Sequence, residues 1–233
     1  MLNIGFYGAS DAAWSGYSYV DKDSMREVVS WNDLVGTYFK ANCVNKAVMN
    51  GSIERAAIEI KGTKEKLDIA IVVLGVSAAI PLVHCNRDID AGHKDFEHTS
   101  DQIFNIHGVV THPQYGCAKE VAKQFESQDE FVQTLNMWKK HLWSNELQAL
   151  RYAGALMQLD QYLVAKNIPA IYCGKASRVP PWLTLQAGIV DDDLHALNKK
   201  YNRSNNLPNN ISAVGQKELA KVYIKLIKEK LKI

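Results

Sequence analysis

The chain has 233 residues, of which 47% are hydrophobic and 22% are charged. These proportions are typical of a soluble globular protein with a substantial core, and they exclude a disordered or fibrous chain. The formal net charge of +2 at pH 7 is too small to indicate a protein that binds a nucleic-acid polymer, because such proteins concentrate basic residues on one face.

The first predicted elements are a strand, a helix and a second strand. LNIGFYG, residues 2–8, is a short apolar run that ends in glycine, as a buried strand does where it enters a loop. A helix is predicted within residues 23–42, because apolar residues recur there at helical spacing and Asp23 or Ser24 provides an N-cap. CVNKAV, residues 43–48, is the second strand candidate.

The helix and strand pattern repeats once more and is then interrupted. Residues 52–66 carry apolar side chains on one helical face, and LDIAIVVLG, residues 67–75, is the clearest strand because both of its faces are apolar. Residues 76–117 follow as a mixed segment rich in His, Asp and Asn. Long loops are uncommon in compact domains and often functional, so this insertion is predicted to be a lid or a site wall, with a plain surface loop as the alternative.

Residues 118–233 resume the alternation of helix and strand. Residues 118–166 have a helical pattern, IPAIYCG at 168–174 is a fourth strand, and residues 177–188 are a loop. The last helix, within residues 211–233, is strongly amphipathic. The core positions predicted for the helical segment are Phe131, Leu135, Trp138, Leu142, Leu147, Leu150, Leu156, Leu159 and Leu163.

This order of elements predicts one domain over residues 1–233, an α/β fold of three layers with a parallel sheet between two layers of helices. The long insertion at 76–117 follows the third strand. In doubly wound sheets, ligands bind beyond the carboxyl ends of the strands, near the switch in strand order. The loops expected to face that crevice follow Gly8, Val48, Gly75 and Gly174.

The sequence predicts a cytoplasmic protein. It has no basic N-terminal segment with a cleavage site and no run of about 20 apolar residues, the length that a membrane helix needs. Its four cysteines show no disulfide framework, which favours a reducing compartment. Cys43 and Cys173 stand in strand-like runs and are expected to be buried thiols.

Four segments at the predicted crevice combine turn-forming and polar residues. GASD begins at Gly8, AVMNGS at Ala47 and GVSAA at Gly75, and NNISAVG comes before the last helix. These segments resemble the catalytic blocks of the SGNH or GDSL-like hydrolase superfamily, whose domains have a flavodoxin-like three-layer α/β/α fold. The resemblance covers both ends of the chain and the middle strand.

The resemblance implies that Ser10 is a nucleophile. In the superfamily the first strand ends in Gly-Asp-Ser, and its serine attacks the substrate. Here Gly8-Ala9-Ser10 has alanine in place of the aspartate. A serine hydroxyl is a weak nucleophile at neutral pH and needs a base within hydrogen-bond reach.

The second and third blocks imply an oxyanion site. Ala47 stands at the glycine of the second block, and Gly75 begins the third block, in which Ser77 replaces the asparagine that donates to the oxyanion. The backbone N–H groups of Ser10 and Ala47 and the hydroxyl of Ser77 are then the donors.

Two further residues are candidate ligand contacts. Trp14 follows the first strand, where it stacks on a planar ligand or lines an acyl pocket; the alternative is packing against the first helix or the insertion. Asn50 belongs to the second block, and its simpler interpretation is a turn former.

The base is not at the position that the resemblance predicts. The last block of the superfamily begins Asp-x-x-His, but Asn210 stands where the histidine is expected, and asparagine cannot accept the proton. Earlier in the chain, Asp192 and His195 form a literal Asp-x-x-His. His195, oriented by Asp192, is therefore the candidate base, and the alternative is a surface helix residue.

Most of the histidines lie in the insertion, but no metal or other cofactor is predicted. Zinc ligands usually stand in close pairs, whereas these histidines are loosely spaced. They are His84, His93, His98, His107 and His112.

Two functions fit these residues. One is a hydrolase that cleaves an ester or related bond of a small molecule with Ser10. The other is a catalytically inactive relative that binds and sequesters a small, nucleotide-like ligand in the same crevice, which Ala9, Ser77 and Asn210 favour. In both cases the expected partner is a small molecule rather than a nucleic-acid polymer or a membrane, and the oligomeric state is left open.

Overall fold

The computed structural model describes residues 1–9, 29–47, 51–75, 79–83, 103–107, 133, 137, 140–141, 144–174, 179–191, 196–197, 200–201 and 213–233. The strands are β1 Asn3–Gly8, β2 Asn42–Asn45, β3 Ile69–Val73, β4 Ala79–Val83, β5 Ile103–His107, β6 Ala170–Cys173 and β7 Gly188–Asp191. The helices are α1 Trp31–Phe39, α2 Ile53–Gly62, α3 Asn145–Ala165 and α4 Ala213–Leu231.

Five strands form a parallel sheet in the order β2-β1-β3-β6-β7. β3 lies in the middle, and all of its residues are buried, as its apolar sequence predicts. Numbered within this sheet, the strands stand in the order 2-1-3-4-5, the flavodoxin-like order with its switch between β1 and β3. The predicted α/β fold with a central parallel sheet is confirmed.

Helices cover both faces of this sheet. On one face, Phe6 of β1 packs in a core with Trp31 of α1 and Tyr223 of α4. On the other face, Tyr7 packs in a second core with Leu159 of α3 and with side chains of α2. Phe6 and Tyr7 enter opposite cores because successive side chains of a strand alternate between the faces. The three layers are therefore α1 and α4, the sheet, and α2 and α3.

The first described helix begins later than the sequence pattern predicts. Ser30 has an extended backbone, with φ −69° and ψ 157°, and its hydroxyl accepts a hydrogen bond from the Asp33 N–H as the N-cap of α1. A helix that starts at Asp23 or Ser24 cannot run unbroken through this residue, so the predicted single helix is wrong. Asp23 and Ser24 themselves lie outside the described residues.

The insertion after β3 contains a strand pair that the sequence pattern did not indicate. β4 and β5 pair antiparallel, with Ala79 opposite His107 and Val83 opposite Ile103. Pro81 lies within β4, and proline argues against a strand when a segment is considered alone. The pairing becomes evident only when the two distant segments are brought together.

The fifth strand of the sheet, β7, was also missed. Its residues Gly188–Asp191 follow the predicted loop and form the edge of the sheet beside β6. Ile189 stays 42% exposed there, and a strand of four residues with a half-solvated face lacks the apolar signal of a central strand.

Part of the core predicted for α3 is wrong. Leu156, Leu159 and Leu163 are buried, but Leu147 and Leu150 are 55% and 64% exposed. At 3.6 residues per turn, Leu147 lies on the side of the helix opposite Leu156. The buried positions two turns and one turn before Leu156 are instead occupied by Gln148 and Tyr152.

The two described cysteines differ in their exposure to solvent. Cys173 is buried, as expected, because β6 lies between β3 and β7. Cys43 is exposed, and the expectation of a buried thiol is wrong. The reason is the strand order, which places β2 at an edge of the sheet with one neighbouring strand.

The last helix is amphipathic, as predicted. Leu219, Tyr223 and Ile227 are buried against the sheet, whereas Lys221 and Lys225 point into solvent. In the described part of the chain, no helix combines the length and the apolar character needed to cross a membrane.

Candidate functional site

The sharp turn after β1 lies at the switch point of the sheet. Gly8 pairs with Val73 of β3, and the Ala9 N–H donates a hydrogen bond to the Val73 carbonyl oxygen at 3.1 Å. Gly8 has φ 96°, a conformation that residues with a side chain rarely adopt, and a Cβ there would overlap the Val73 oxygen. The turn therefore requires glycine, and it leads directly into Ser10.

Three of the four segments expected at the crevice come together at the carboxyl edge of the sheet. A Cβ added to Gly75 would overlap the carbonyl oxygen of Gly51 and would lie 3.7 Å from the Ala9 Cβ. Gly51 precedes Ser52, whose hydroxyl caps α2 by accepting the Arg55 N–H. The ends of β1 and β3 and the start of α2 thus meet where the sequence predicted a ligand crevice.

Ala47 lies beside this edge, but its N–H group is already engaged. The N–H donates to Oδ1 of Asn45 at 3.1 Å, and the Ala47 side chain packs against the same core as Ala9. The resemblance assigns this N–H to an oxyanion. A substrate oxygen therefore has to displace the Asn45 side chain before it can accept this hydrogen bond.

A buried carboxylate ends β7 at the same edge. Oδ2 of Asp191 accepts a hydrogen bond from the Tyr223 hydroxyl of α4 at 3.0 Å, and Asp191 is 9% exposed. Burial raises the pKa of the Tyr223 hydroxyl well above its ordinary value, so the hydroxyl keeps its proton and donates. Sequence reasoning missed Asp191, although an acidic residue that closes an apolar run is a usable signal.

A second buried carboxylate anchors the start of β7. Asp160 of α3 accepts hydrogen bonds from the Tyr172 hydroxyl at 2.7 Å, the Gln186 N–H at 2.7 Å and the Ala187 N–H at 3.0 Å. Three donors satisfy a buried charge that would otherwise be costly. β7 is therefore held at both ends, by Asp160 before it and by Tyr223 at Asp191.

The candidate dyad begins directly after β7. Asp192 follows Asp191 in the chain, and His195 comes three residues later. With strands about 4.8 Å apart, β7 lies about 14 Å from β1. Four residues span up to about 14 Å when extended, so the chain after Asp191 is long enough to reach across the carboxyl edge.

The predicted site residues divide into two groups. The structure places Ala47 and Gly75 at the carboxyl edge of the sheet, close to the end of β1. The others lie outside the described residues and stay predictions: Ser10, Trp14, Asn50, Ser77, Asp192, His195 and Asn210.

A polar cleft of about 500 Å³ lies at the opposite, amino edge of the sheet, between the segment before β3 and the segment before β6. Thr63, Lys66, Tyr162 and Asn167 are among its lining residues. Ala47 and Gly75, the predicted site residues that the structure describes, are not among those that line it. The C-terminal ends of α2 and α3 lie beside the cleft, which disfavours an anion. Among the described residues no group of three His, Cys, Asp or Glu side chains could hold a metal ion.

Comparison with known proteins gives structural similarity alone. No protein-family model and no curated protein matches the chain. TesA is 10% identical with a TM-score of 0.44, over 97% of this chain and 98% of that chain. A carbohydrate esterase whose active site has divergent catalytic and non-catalytic binding functions is 11% identical with a TM-score of 0.46, over 98% of this chain and 65% of that chain.

The acetyl xylan esterase Est2A from the rumen bacterium Butyrivibrio proteoclasticus is 11% identical with a TM-score of 0.43, over 99% of this chain and 64% of that chain. The chain therefore spans just under two thirds of the length of these two esterase chains. The strand order and the layers define its class of fold, a flavodoxin-like α/β/α domain.

Proposed function

We propose that the chain is a hydrolase of the SGNH type that cleaves an ester or related bond of a small molecule, with Ser10 as the nucleophile. The observation that carries the proposal is the turn at Gly8. Because Ala9 is held by the Val73 oxygen beside Gly75, the next residue, Ser10, starts from the switch point of the sheet, where ligands of such folds bind.

The proposed reaction has two steps. The Ser10 oxygen bonds to the carbonyl carbon while the base takes the hydroxyl proton, and the carbonyl oxygen becomes an oxyanion. When the oxyanion collapses, the bond to the alcohol breaks and the base returns the proton to the leaving alcohol. Water then attacks the acyl-serine by the same route and releases the acid.

His195 is the proposed base, with Asp192 as its orienting carboxylate. The support is the position of β7, because it is the fifth strand and ends one residue before Asp192. The anchoring of β7 by Asp160 and Tyr223 gives the dyad a rigid starting point. Precise placement of a base is worth orders of magnitude in rate.

The oxyanion is proposed to be bound by the Ser10 N–H, the Ser77 hydroxyl and the Ala47 N–H. The Ala47 N–H becomes available to the oxyanion when it no longer donates its hydrogen bond to the Asn45 side chain. Backbone donors aimed at the developing charge lower the barrier by about 3–4 kcal/mol each.

The nucleophile is tested with a short-chain nitrophenyl ester and a serine-directed fluorophosphonate. The wild-type chain should hydrolyse the ester and carry the label on Ser10. Ser10→Ala should lose both, whereas Thr37→Ala, which deletes an exposed hydroxyl on α1, should keep both. Absence of turnover together with absence of Ser10 labelling in the wild-type chain contradicts the proposal.

The base is tested with two substitutions, of which one should lower kcat and the other should leave kcat unchanged. His195→Gln should reduce kcat by about 100-fold or more, because the hydroxyl proton loses its acceptor. Asn210→His, which restores the histidine of the superfamily block, should leave kcat near the wild-type value. An increase in Asn210→His with no loss in His195→Gln would show that the site is built around position 210.

A binding protein is the second candidate, and the Asn45 contact favours it. An N–H group already satisfied by Asn45 at 3.1 Å is less available to an oxyanion, as expected where catalysis is absent. Native mass spectrometry of the protein purified from cells should then show a bound small molecule that is released intact. Recovery of hydrolysed product alone contradicts this second function.

A further inference from the structure

A series of buried side chains connects β1 to β7 on one face of the sheet. Phe6 of β1 packs edge-on against Trp31 of α1, with ring centroids 5.5 Å apart and an interplanar angle of 80°. The Trp31 ring lies 4.5 Å from the Tyr223 ring of α4, and the Tyr223 hydroxyl donates a hydrogen bond to Asp191 of β7. We name Phe6, Trp31 and Tyr223 the aromatic bridge.

The two strands that the aromatic bridge connects are the ones that lead to the proposed catalytic groups. β1 ends two residues before Ser10, and β7 ends one residue before Asp192. The strand order places β3 and β6 between them, so β1 and β7 are about 14 Å apart. A base has to lie within about 3 Å of the proton that it takes. The relative position of these two strand ends therefore matters for the proposed reaction.

The aromatic bridge is held rigidly by its surroundings. Each of its three side chains is at most 1% exposed, and close packing in a core leaves little freedom for rings of this size. The Trp31 N–H also donates to Oε1 of Gln216 at 2.8 Å, which joins the start of α1 to the first turn of α4. The aromatic bridge thus gives β7 a fixed reference point on β1.

The carboxyl end of β7 depends on this contact. β7 has four residues and is an edge strand of the described sheet, with β6 as its neighbour. At its last residue, the Asp191 carbonyl oxygen accepts the Gly174 N–H at 2.9 Å. The end of an edge strand opens easily, because few bonds hold it. The bond from Tyr223 adds a buried side-chain contact at the same residue and limits the movement of the chain that follows.

We propose that Tyr223 is a positioning residue for the dyad of Asp192 and His195, an inference that rests on the proposed function. By holding Asp191 against the aromatic bridge, Tyr223 fixes the point from which the chain leaves β7 toward the dyad. Its hydroxyl gives up no proton in the reaction, because burial holds its pKa well above the ordinary value. A displacement of about 1 Å in a catalytic group can lower the rate by about 100-fold.

The other end of β7 provides a matched control. The Tyr172 hydroxyl is also buried and donates to Asp160 at 2.7 Å. Tyr172→Phe therefore removes a buried hydrogen bond from a tyrosine to an aspartate, as Tyr223→Phe does. It leaves the two backbone N–H bonds to Asp160 that hold the start of β7. Both variants should lose a similar part of the free energy of unfolding, but Tyr223→Phe alone should disturb the dyad.

Steady-state kinetics with the nitrophenyl ester distinguish positioning from a general loss of stability. In Tyr223→Phe, kcat should fall by about tenfold or more while KM stays within about twofold of the wild type, because the base is displaced and the substrate still binds. Tyr172→Phe should keep kcat within about twofold of the wild type. Urea unfolding shows that both variants are folded in the assay. Equal kcat values for the two variants overturn the proposal.

Hydrogen exchange gives a readout that does not need catalysis. The backbone amides directly after Asp191 should exchange about tenfold faster in Tyr223→Phe than in the wild type, and at the wild-type rate in Tyr172→Phe. Equal exchange of these amides in the two variants contradicts the positioning role. If the wild-type chain neither hydrolyses the ester nor carries the label, the proposed function fails, and exchange still decides whether Tyr223 holds this segment.

A double-mutant cycle tests whether Tyr223 acts through Asp191. Asp191→Ala removes the acceptor and should lower kcat about as much as Tyr223→Phe does. The double variant should then have a kcat within about twofold of the slower single variant, because both substitutions break the same contact. Single effects that multiply in the double variant would show that Tyr223 acts by another route, and the proposal would be wrong.

Discussion

The Tyr223 hydroxyl of α4 donates a hydrogen bond to Oδ2 of Asp191 at 3.0 Å, which joins the last helix to the end of β7. Tyr223→Phe removes the donor and leaves a buried carboxylate less well satisfied. We expect the free energy of unfolding to fall by about 1–3 kcal/mol. Urea denaturation measures it, with Tyr38→Phe, at a 52% exposed tyrosine, as the control that stays within about 0.5 kcal/mol. Equal losses in the two variants would argue against a structural role for this bond.

The turn at Gly8 should tolerate no side chain. Gly8→Ala introduces a Cβ at φ 96° that overlaps the Val73 oxygen, so we expect destabilisation by about 3 kcal/mol or more. Gly62→Ala is the matched control, because a Cβ there meets nothing within 4 Å at the end of α2. It should be neutral or stabilising by up to about 1 kcal/mol. Thermal unfolding of both variants gives the comparison, and a stable Gly8→Ala protein would refute the required turn.

The hydrogen bond between Ala47 and Asn45 leads to a prediction about kcat/KM. If the Ala47 N–H binds the oxyanion, Asn45→Ala removes a competing hydrogen bond at 3.1 Å worth about 1 kcal/mol, and kcat/KM for the nitrophenyl ester should rise about fivefold. Asn42→Ala, on the same strand and exposed, is the control and should leave kcat/KM unchanged. A fall in kcat/KM for Asn45→Ala would instead assign Asn45 a positioning role in the site.

Tyr7 should make the fold sensitive to alkaline pH. Burial raises the pKa of its hydroxyl to about 12, and the ordinary value is about 10. A raised folded-state pKa means that the stabilisation is complete below about pH 10 and is lost as pH rises toward 12. Over that interval Tyr7 contributes a decline of up to about 1.4 kcal/mol per pH unit in the free energy of unfolding.

The variant Tyr7→Phe isolates this contribution. Its free energy of unfolding should decline less steeply between pH 10 and 12 than that of the wild type, although it starts lower because the bond to the Thr63 hydroxyl at 2.8 Å is lost. Denaturant titrations at pH 8, 10 and 11.5 measure the slope. An unchanged slope would show that Tyr7 does not titrate in this range.

The candidate site was partly accessible from sequence. The end of β1 at Gly8 was predicted correctly, because an apolar run closed by glycine is a local signal. The run of β3 was predicted to close at Gly75, whereas the strand ends at Val73. Asp191 was missed, since its role depends on Tyr223, which comes 32 residues later in the chain. That the Ala47 N–H is already engaged was likewise not predictable, because it depends on a contact with the Asn45 side chain that no pattern of residue types encodes.

The sequence by itself determined the elements whose signal is local: the apolar strands β1 and β3, the amphipathic helix α4, and the Gly-Ala-Ser turn that ends the first strand. Only the tertiary structure decided which strands lie at the edges, and therefore that Cys43 is exposed and that β7 ends beside Asp192. It also decided which side of α3 is buried, leaving Leu147 and Leu150 on the surface. The physical reason is that periodicity depends on neighbours along the chain, whereas burial and strand order depend on partners far away in sequence.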